Sequence, residues 1–180
     1  MPRPGRFQWI ITVLIACGQL TADIPPVNPP ADESDNLKAV FIYNFTRYIT
    51  WPAETQNTDF TIGVLGDSKI IFPLQQLAAK KRVGDQPIAI HLFKRPQELI
   101  PCHILFISAS EQHRITDIIN LLAKKTVLTI GDTPGYGEHG VMINFFLQSD
   151  QIKFELNPAS LERSGLKASS QLQKLARIIP

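Results

Sequence analysis

The stretch Leu128-Thr-Ile-Gly-Asp-Thr-Pro-Gly-Tyr-Gly-Glu-His-Gly-Val-Met-Ile-Asn-Phe-Phe-Leu147, continuing through Ile152-Lys-Phe-Glu-Leu-Asn157 into residues 158–177, decides the fold. Residues 127–130 are a short apolar run of strand type. Gly131, Gly135, Gly137 and Gly140 then punctuate a loop that ends at a second strand, 141–147. The polar run Gln148-Ser149-Asp150-Gln151 supplies a hairpin turn. Beyond it Ile152, Phe154 and Leu156 alternate with Lys153 and Glu155, as a half-buried strand requires. Asn157 before Pro158 sets an N-cap followed by proline in the first helical turn. The order is strand, glycine-rich loop, strand, tight turn, strand, helix.

Working outward, Ser34 or Asp35 caps a helix running to about Ile49. Its apolar stripe is Leu37, Val40, Phe41, Phe45 and Tyr48, with Asn44 on the same line and Ile42 and Ile49 widening it. A stripe this broad is well buried or also meets a partner. Trp51-Pro52 ends the helix, because the residue before a proline is pushed out of the helical region. Residues 60–65 form a strand closed by Gly66-Asp67. A helix follows over 70–80 with Leu74, Leu77 and Ala78 inward, and 88–93 is the next strand. Residues 104–107 are wholly apolar and read as a central strand. Ser110 caps a helix over 110–123 with Ile115, Ile118, Ile119 and Leu122 inward. The chain closes with helices over 158–163 and 170–178. Early alternation of strand and helix implies parallel pairs with crossover helices, and the late hairpin adds antiparallel strands. The expected fold is α/β: a three-layer α/β/α sandwich with a mixed sheet of about six strands. Phe41, Phe45, Leu105, Phe106, Ile143 and Phe145 are expected to point mainly inward. At most one of each adjacent strand pair faces a second helical layer.

The beginning of the chain reads as an export signal. Arg3 and Arg6 precede an apolar run of about ten residues, half of what spanning a bilayer requires. Leu14-Ile15-Ala16-Cys17-Gly18 resembles a bacterial lipobox, which makes Cys17 a lipidation candidate. The other reading is an ordinary signal peptide cut after Gly18 or Ala22. The expected organisation is a signal peptide over 1–17, a flexible proline-rich tether over 18–35, and an α/β domain over 36–180. Pro25, Pro26, Pro29 and Pro30 with Asp32, Glu33 and Asp35 give the tether its extended, solvated character. Expected localisation is the periplasm, with a lipid anchor in the outer membrane if Cys17 is acylated. The whole chain carries a net +2, and removing Arg3 and Arg6 leaves 16 basic against 16 acidic residues. There is no basic stripe interleaved with aromatics, so nucleic acid is not an expected partner.

Catalytic signals are incomplete. Gly66-Asp67-Ser68 echoes a Gly-Asp-Ser nucleophile turn, but a serine nucleophile needs a histidine oriented by an acid. The late Asp-x-x-His element of such esterases is missing, and a strand-ending turn capping the next helix explains the same residues. His91, His103, His113 and His139 show no metal-ligand spacing. The loop 131–137 lacks the Gly-Lys-Ser/Thr ending of a phosphate loop. No metal, cofactor or catalytic residue is therefore expected. Loops at strand ends nonetheless carry function in α/β folds. Asp67, Asp132, Tyr136 and His139 are the partner- or ligand-binding candidates.

The motifs also resemble one family. Leu37-Lys-Ala-Val-Phe-Ile-Tyr-Asn-Phe45 running into Trp51-Pro52, Phe60-Thr-Ile-Gly-Val-Leu-Gly-Asp67, Cys102-His-Ile-Leu-Phe-Ile-Ser108, the Gly131–Phe145 stretch and Ser169-Ser-Gln-Leu-Gln-Lys-Leu-Ala-Arg177 are similar, in that order, to the YfiR family. The resemblance covers about residues 36–178. It implies a non-enzymatic exported regulator that binds and represses the periplasmic domain of a membrane signalling enzyme, a diguanylate cyclase in the namesake system. The alternatives are a periplasmic ligand-binding or sensor module serving a histidine kinase and, more weakly, a Gly-Asp-Ser esterase. A homodimer stays open. Relatives often carry a cysteine near the Gly63 position that would pair with one at Cys102. Here that partner is absent, and Cys102 reads as a small buried hydrophobe at a strand start.

Overall fold

The computed structural model describes residues 33–52 and 59–180. The expected signal peptide, Cys17 and nearly all of the tether lie outside the described residues. Strands and helices run α1 (Glu33–Phe45), β1 (Ile49–Thr50), β2 (Phe60–Leu65), α2 (Ile71–Ala78), β3 (Arg82–Val83), β4 (Gln86–Phe93), β5 (Ile104–Ile107), α3 (Ile115–Leu122), β6 (Leu128–Gly131), β7 (Ile143–Gln148), β8 (Gln151–Leu156), α4 (Pro158–Arg163), β9 (Lys167–Ala168), α5 (Ser170–Leu175) and β10 (Arg177–Ile178).

The main sheet has eight strands in the order β10-β8-β7-β6-β5-β2-β4-β3, and β1 pairs separately with β9. All six strands read from sequence are present. The two further strands of the main sheet, β3 and β10, are two residues long, too short to leave a periodicity. β2, β4, β5, β6 and β7 are mutually parallel, while β3 and β8 run against them. Central β5 is buried throughout, as its unbroken apolar run requires. The β7–β8 hairpin closes on Ser149 and Asp150 at φ 50° and 59°, two successive left-handed residues that match the strand twist.

Helices cover both faces, giving the three layers expected. One core joins Ile42 and Phe45 of α1, Leu74 of α2, Leu161 of α4 and Leu172 of α5 to Ile62, Val64, Phe106 and Phe145 of the sheet. The other packs Ile115, Ile118 and Leu122 of α3 against Leu65, Leu105 and Ile107. Adjacent Leu105 and Phe106 thus serve opposite layers, as strand alternation dictates. The first core centres on an aromatic cluster. Phe45 stacks on Phe145 at 5.9 Å and meets Phe154 edge-on at 5.1 Å, with Phe41 at 6.2 Å.

Four readings need correction. Helix α1 ends at Phe45, four residues before Ile49. Thr46, Arg47 and Tyr48 donate to carbonyls three residues back, tightening the last turn, and Ile49 pairs with Ala168 instead. Its buried face is Ala39, Ile42 and Phe45, while Leu37 and Val40, expected inward, are 45% and 46% exposed. The stretch read as one helix over 110–123 is a 3-10 segment, Ala109–Arg114, leading into α3, and the last helix stops at Leu175. The Asn157 cap holds: its side chain accepts the Ser160 amide at 2.9 Å, with Pro158 at the first helical position. Ser34 and Asp35 instead lie inside α1, Ser110 lies inside the 3-10 segment, and α2 begins without a side-chain cap. Ser169, not read as a cap from the sequence, accepts the Leu172 amide at the start of α5.

Candidate functional site

In open α/β sheets, ligands favour the carboxyl ends of the strands where the winding direction reverses. Here the chain moves from β2 outward to β4, then returns to β5 on the other side of β2. The reversal falls between the Gly66-Asp67-Ser68 turn and the Ser108-Ala109-Ser110 turn. The two turns are knitted together. Gly66 has φ +84°, and a Cβ there would run into Ser110 Oγ and lie 2.5 Å from Ser108 Oγ. Asp67 donates its amide to Ser110 Oγ at 3.0 Å, and the Ser108 and Ser110 hydroxyls lie 2.7 Å apart. Buried Glu111 accepts from Arg114 Nε at 2.6 Å. Ser68 Oγ accepts the Ile70 amide at 3.3 Å, a local turn bond. The two turns thereby brace one another, and Asp67 stays exposed beside them.

The glycine-rich loop after β6 holds the other three candidates apart. Asp132 accepts from Lys38 Nζ at 2.7 Å, and Lys38 also sits 3.6 Å from Asp35, so the first turns of α1 are tied to the end of β6. Tyr136 is 1% exposed. Its hydroxyl donates to the Ser108 carbonyl at 2.8 Å, and its ring fills the space a Cβ on Gly131 would need. Burial first of all pushes its phenol pKa up. Tyr136 therefore serves as a strut between two strand-end loops. His139 is exposed, with Nδ1 3.2 Å from Thr116 Oγ1. A cavity of about 550 Å³ opens beside Asp132, lined by Ser34, Lys38, Glu138, Phe146 and Glu155, with Arg177 over the Phe146 ring at 3.9 Å.

The opposite end of the sheet carries a more apolar cavity of about 510 Å³, walled by Leu99, Ile100, Leu105, Leu122 and Val127. Cys102 lines it as the free cysteine among the described residues. Burial pushes its thiol up to about 11, with the Gly63 backbone and the Lys125 charge pulling weakly the other way. His103 is structural. Its Nδ1 accepts the Thr61 amide at 3.0 Å and its ring stacks on Phe60 at 4.5 Å. Among the described residues no group of histidine, cysteine and acidic side chains is arranged to hold a metal, and no helix is long and apolar enough to cross a membrane.

Sequence periodicity missed three exposed apolar side chains. Helices α1 and α2 pack on the same face of the sheet and leave Leu37, Val40 and Phe72 exposed. The breadth of the α1 stripe was the one signal for them.

The described residues form a three-layer α/β domain whose strand-end turns are braced against one another by hydrogen bonds. The chain belongs to the YfiR/HmsC-like family, whose model matches residues 35–177. That family is periplasmic and regulatory, acting in the cyclic di-GMP pathway. No curated protein matches the chain.

Proposed function

We propose that this protein is an exported, non-enzymatic regulator that binds the periplasmic domain of a membrane diguanylate cyclase and lowers its activity. Family membership over nearly the whole domain carries this reading. The exposed Leu37, Val40 and Phe72 supply an apolar contact surface, since exposed apolar patches mark interaction sites. Asp67, Asp132 and His139 supply polar contacts at the carboxyl edge of the sheet, close to the end bearing the first turn of α1. Binding one conformer of the cyclase shifts its equilibrium. A swing from almost fully active to almost fully inactive needs about 5.5 kcal/mol of preference for the inactive form. Acylation of Cys17, with the residues between it and α1 as tether, would hold the domain at the membrane. A Cys17→Ser variant is then expected in the soluble periplasmic fraction, and a wild-type protein already found there without lipid removes the anchor.

The test is genetic. Deleting the gene is expected to raise cellular cyclic di-GMP and surface attachment, and complementation is expected to require residues 1–17. Unchanged cyclic di-GMP on deletion removes the cyclase reading.

A further inference from the structure

The amino ends of β5 and β6 meet the end of α3 around the cavity that Cys102 lines. Leu105 of β5, Leu122 of α3 and Val127 before β6 are its buried inner wall. Leu99 packs against the same core, and Ile100, 46% exposed, stands at the mouth. These walls are branched aliphatic side chains. Among the described residues the one aromatic ring lining the cavity is that of His103, which stacks on Phe60 and takes the Thr61 amide on Nδ1. A volume of about 510 Å³ lies within the range of about 300–1,000 Å³ that holds a small molecule. Such pockets are apolar, with a few polar groups that orient the ligand. Here Lys125 and Thr126, in the turn that follows α3, supply them. Lys125 is the one lysine, arginine or acid among the described lining residues, and it is exposed. No described carboxylate forms an ion pair with it. Glu98, at the start of the loop that leads to the mouth, is engaged by Arg95 at 2.7 Å. The Leu122 carbonyl at the end of α3 is taken by the Lys125 amide at 2.8 Å. The lysine charge is felt inside the cavity, where it pulls on the Cys102 thiol.

We infer that this cavity binds a small aliphatic carboxylic acid, a fatty acid of medium chain length, with its chain against Leu99, Leu105, Leu122 and Val127 and its carboxylate at Lys125 and Thr126. The buried methylenes supply the affinity, and the ammonium selects the head group. An aliphatic amine would meet Lys125 as a like charge. An aromatic acid would find no unoccupied ring to stack on. Cys102 is an apolar contact for the chain and does no chemistry. The cavity lies at the end of the sheet opposite Asp67, Asp132 and Tyr136, so binding of the acid and the regulatory reading are tested separately.

The experiment is calorimetric titration of the purified protein carrying Cys17→Ser, so that Cys102 is its one thiol. The ligands are decanoate, decylamine, decanol and phenylacetate, each kept below micelle-forming concentration. Decanoate is expected to bind once per chain in the micromolar range, with decylamine and phenylacetate weaker by about tenfold or more. Saturating decanoate should also slow labelling of Cys102 by a thiol reagent. Lys125→Met should cost decanoate about tenfold and leave decanol unchanged. Ile100→Glu, which sets a carboxylate at the mouth, should abolish decanoate binding. Both side chains are exposed, so the circular dichroism spectrum of each variant should match the wild type. Absence of decanoate binding, equal binding of decylamine, a Cys102 labelling rate unchanged at saturation, or decanoate binding indifferent to either variant overturns the inference.

Discussion

Replacing Phe45 by alanine removes the centre of the aromatic cluster beneath α1. The ring is 2% exposed and touches three others, Phe41 at 6.2 Å, Phe145 at 5.9 Å and Phe154 at 5.1 Å. Loss of a buried phenylalanine costs about 3–5 kcal/mol through lost transfer energy and the cavity left behind. Because each aromatic pair adds about 0.5–1.5 kcal/mol, the value should fall in the upper half of that range. A domain of this size has about 5–15 kcal/mol in total, so the variant keeps its fold in buffer only if the wild type sits well inside that range. With a urea slope of about 2 kcal/mol per molar, the unfolding midpoint should drop by about 2 M at unchanged slope. Phe41→Ala, at a half-buried ring, should cost less, and Leu37→Ala, at an exposed side chain, about 0.5 kcal/mol or less. A Phe45→Ala shift below about 1 kcal/mol would refute the placement of α1 on the sheet.

Two glycines with nearly the same φ separate strain from crowding. Gly66→Ala, at φ +84° against Ser108 and Ser110, should destabilise by about 2–4 kcal/mol in urea titration, whereas Gly135→Ala, at φ +86° with open space around it, should cost about 1 kcal/mol; equal losses would mean the switch-point turns are not in contact. Cys102 supplies a pH dependence. Its folded thiol is raised to about 11 from 9.0, so the stability it contributes is fully present below about pH 9 and is lost as pH rises through about 11. The loss amounts to about 2–3 kcal/mol and should vanish in Cys102→Ala when urea midpoints at pH 8 and pH 11 are compared. Reaction of the folded protein with a thiol reagent at pH 8 should be slow and should accelerate on unfolding; rapid labelling of the native state would show a thiolate that the buried site does not permit.

The main elements were legible wherever local chemistry sets them. Residues 60–65 are an apolar run closed by Gly66-Asp67, and they fold as β2 with those bounds. Asn157-Pro158 caps α4 because the capping oxygen and the amide it serves lie within four residues, whereas Ser110 does not cap its segment. Elements fixed by distant pairing were not legible. Ile49-Thr50 looks like the end of a helix until Lys167-Ala168 arrives to pair with it, and Arg177-Ile178 leaves α5 only because Glu155-Leu156 offers a parallel edge. The orientation of α1 was misread for a related reason. Its sequence is apolar on more than one side, and the sheet, not the helix, selects Ala39, Ile42 and Phe45. Of the site residues, Asp67 and Asp132 could be placed at strand ends from glycine punctuation. Nothing in the sequence told that Tyr136 turns inward to brace Ser108, or that Lys38, 94 residues away, closes on Asp132. The apolar cavity beside Cys102 was equally invisible, since folding alone brings residues 99–105 against residues 122–127.

The domain is proposed to act from outside the membrane on an enzyme whose product appears inside. Adding the purified mature protein to spheroplasts of the deletion strain, and following intracellular cyclic di-GMP, tests this. A saturable fall toward the wild-type level is expected, equally strong with Ser68→Ala, and weakened when Leu37 and Val40 are replaced by serine in a variant with unchanged circular dichroism. Cyclic di-GMP that stays at the deletion level whatever amount of folded protein is added would contradict it.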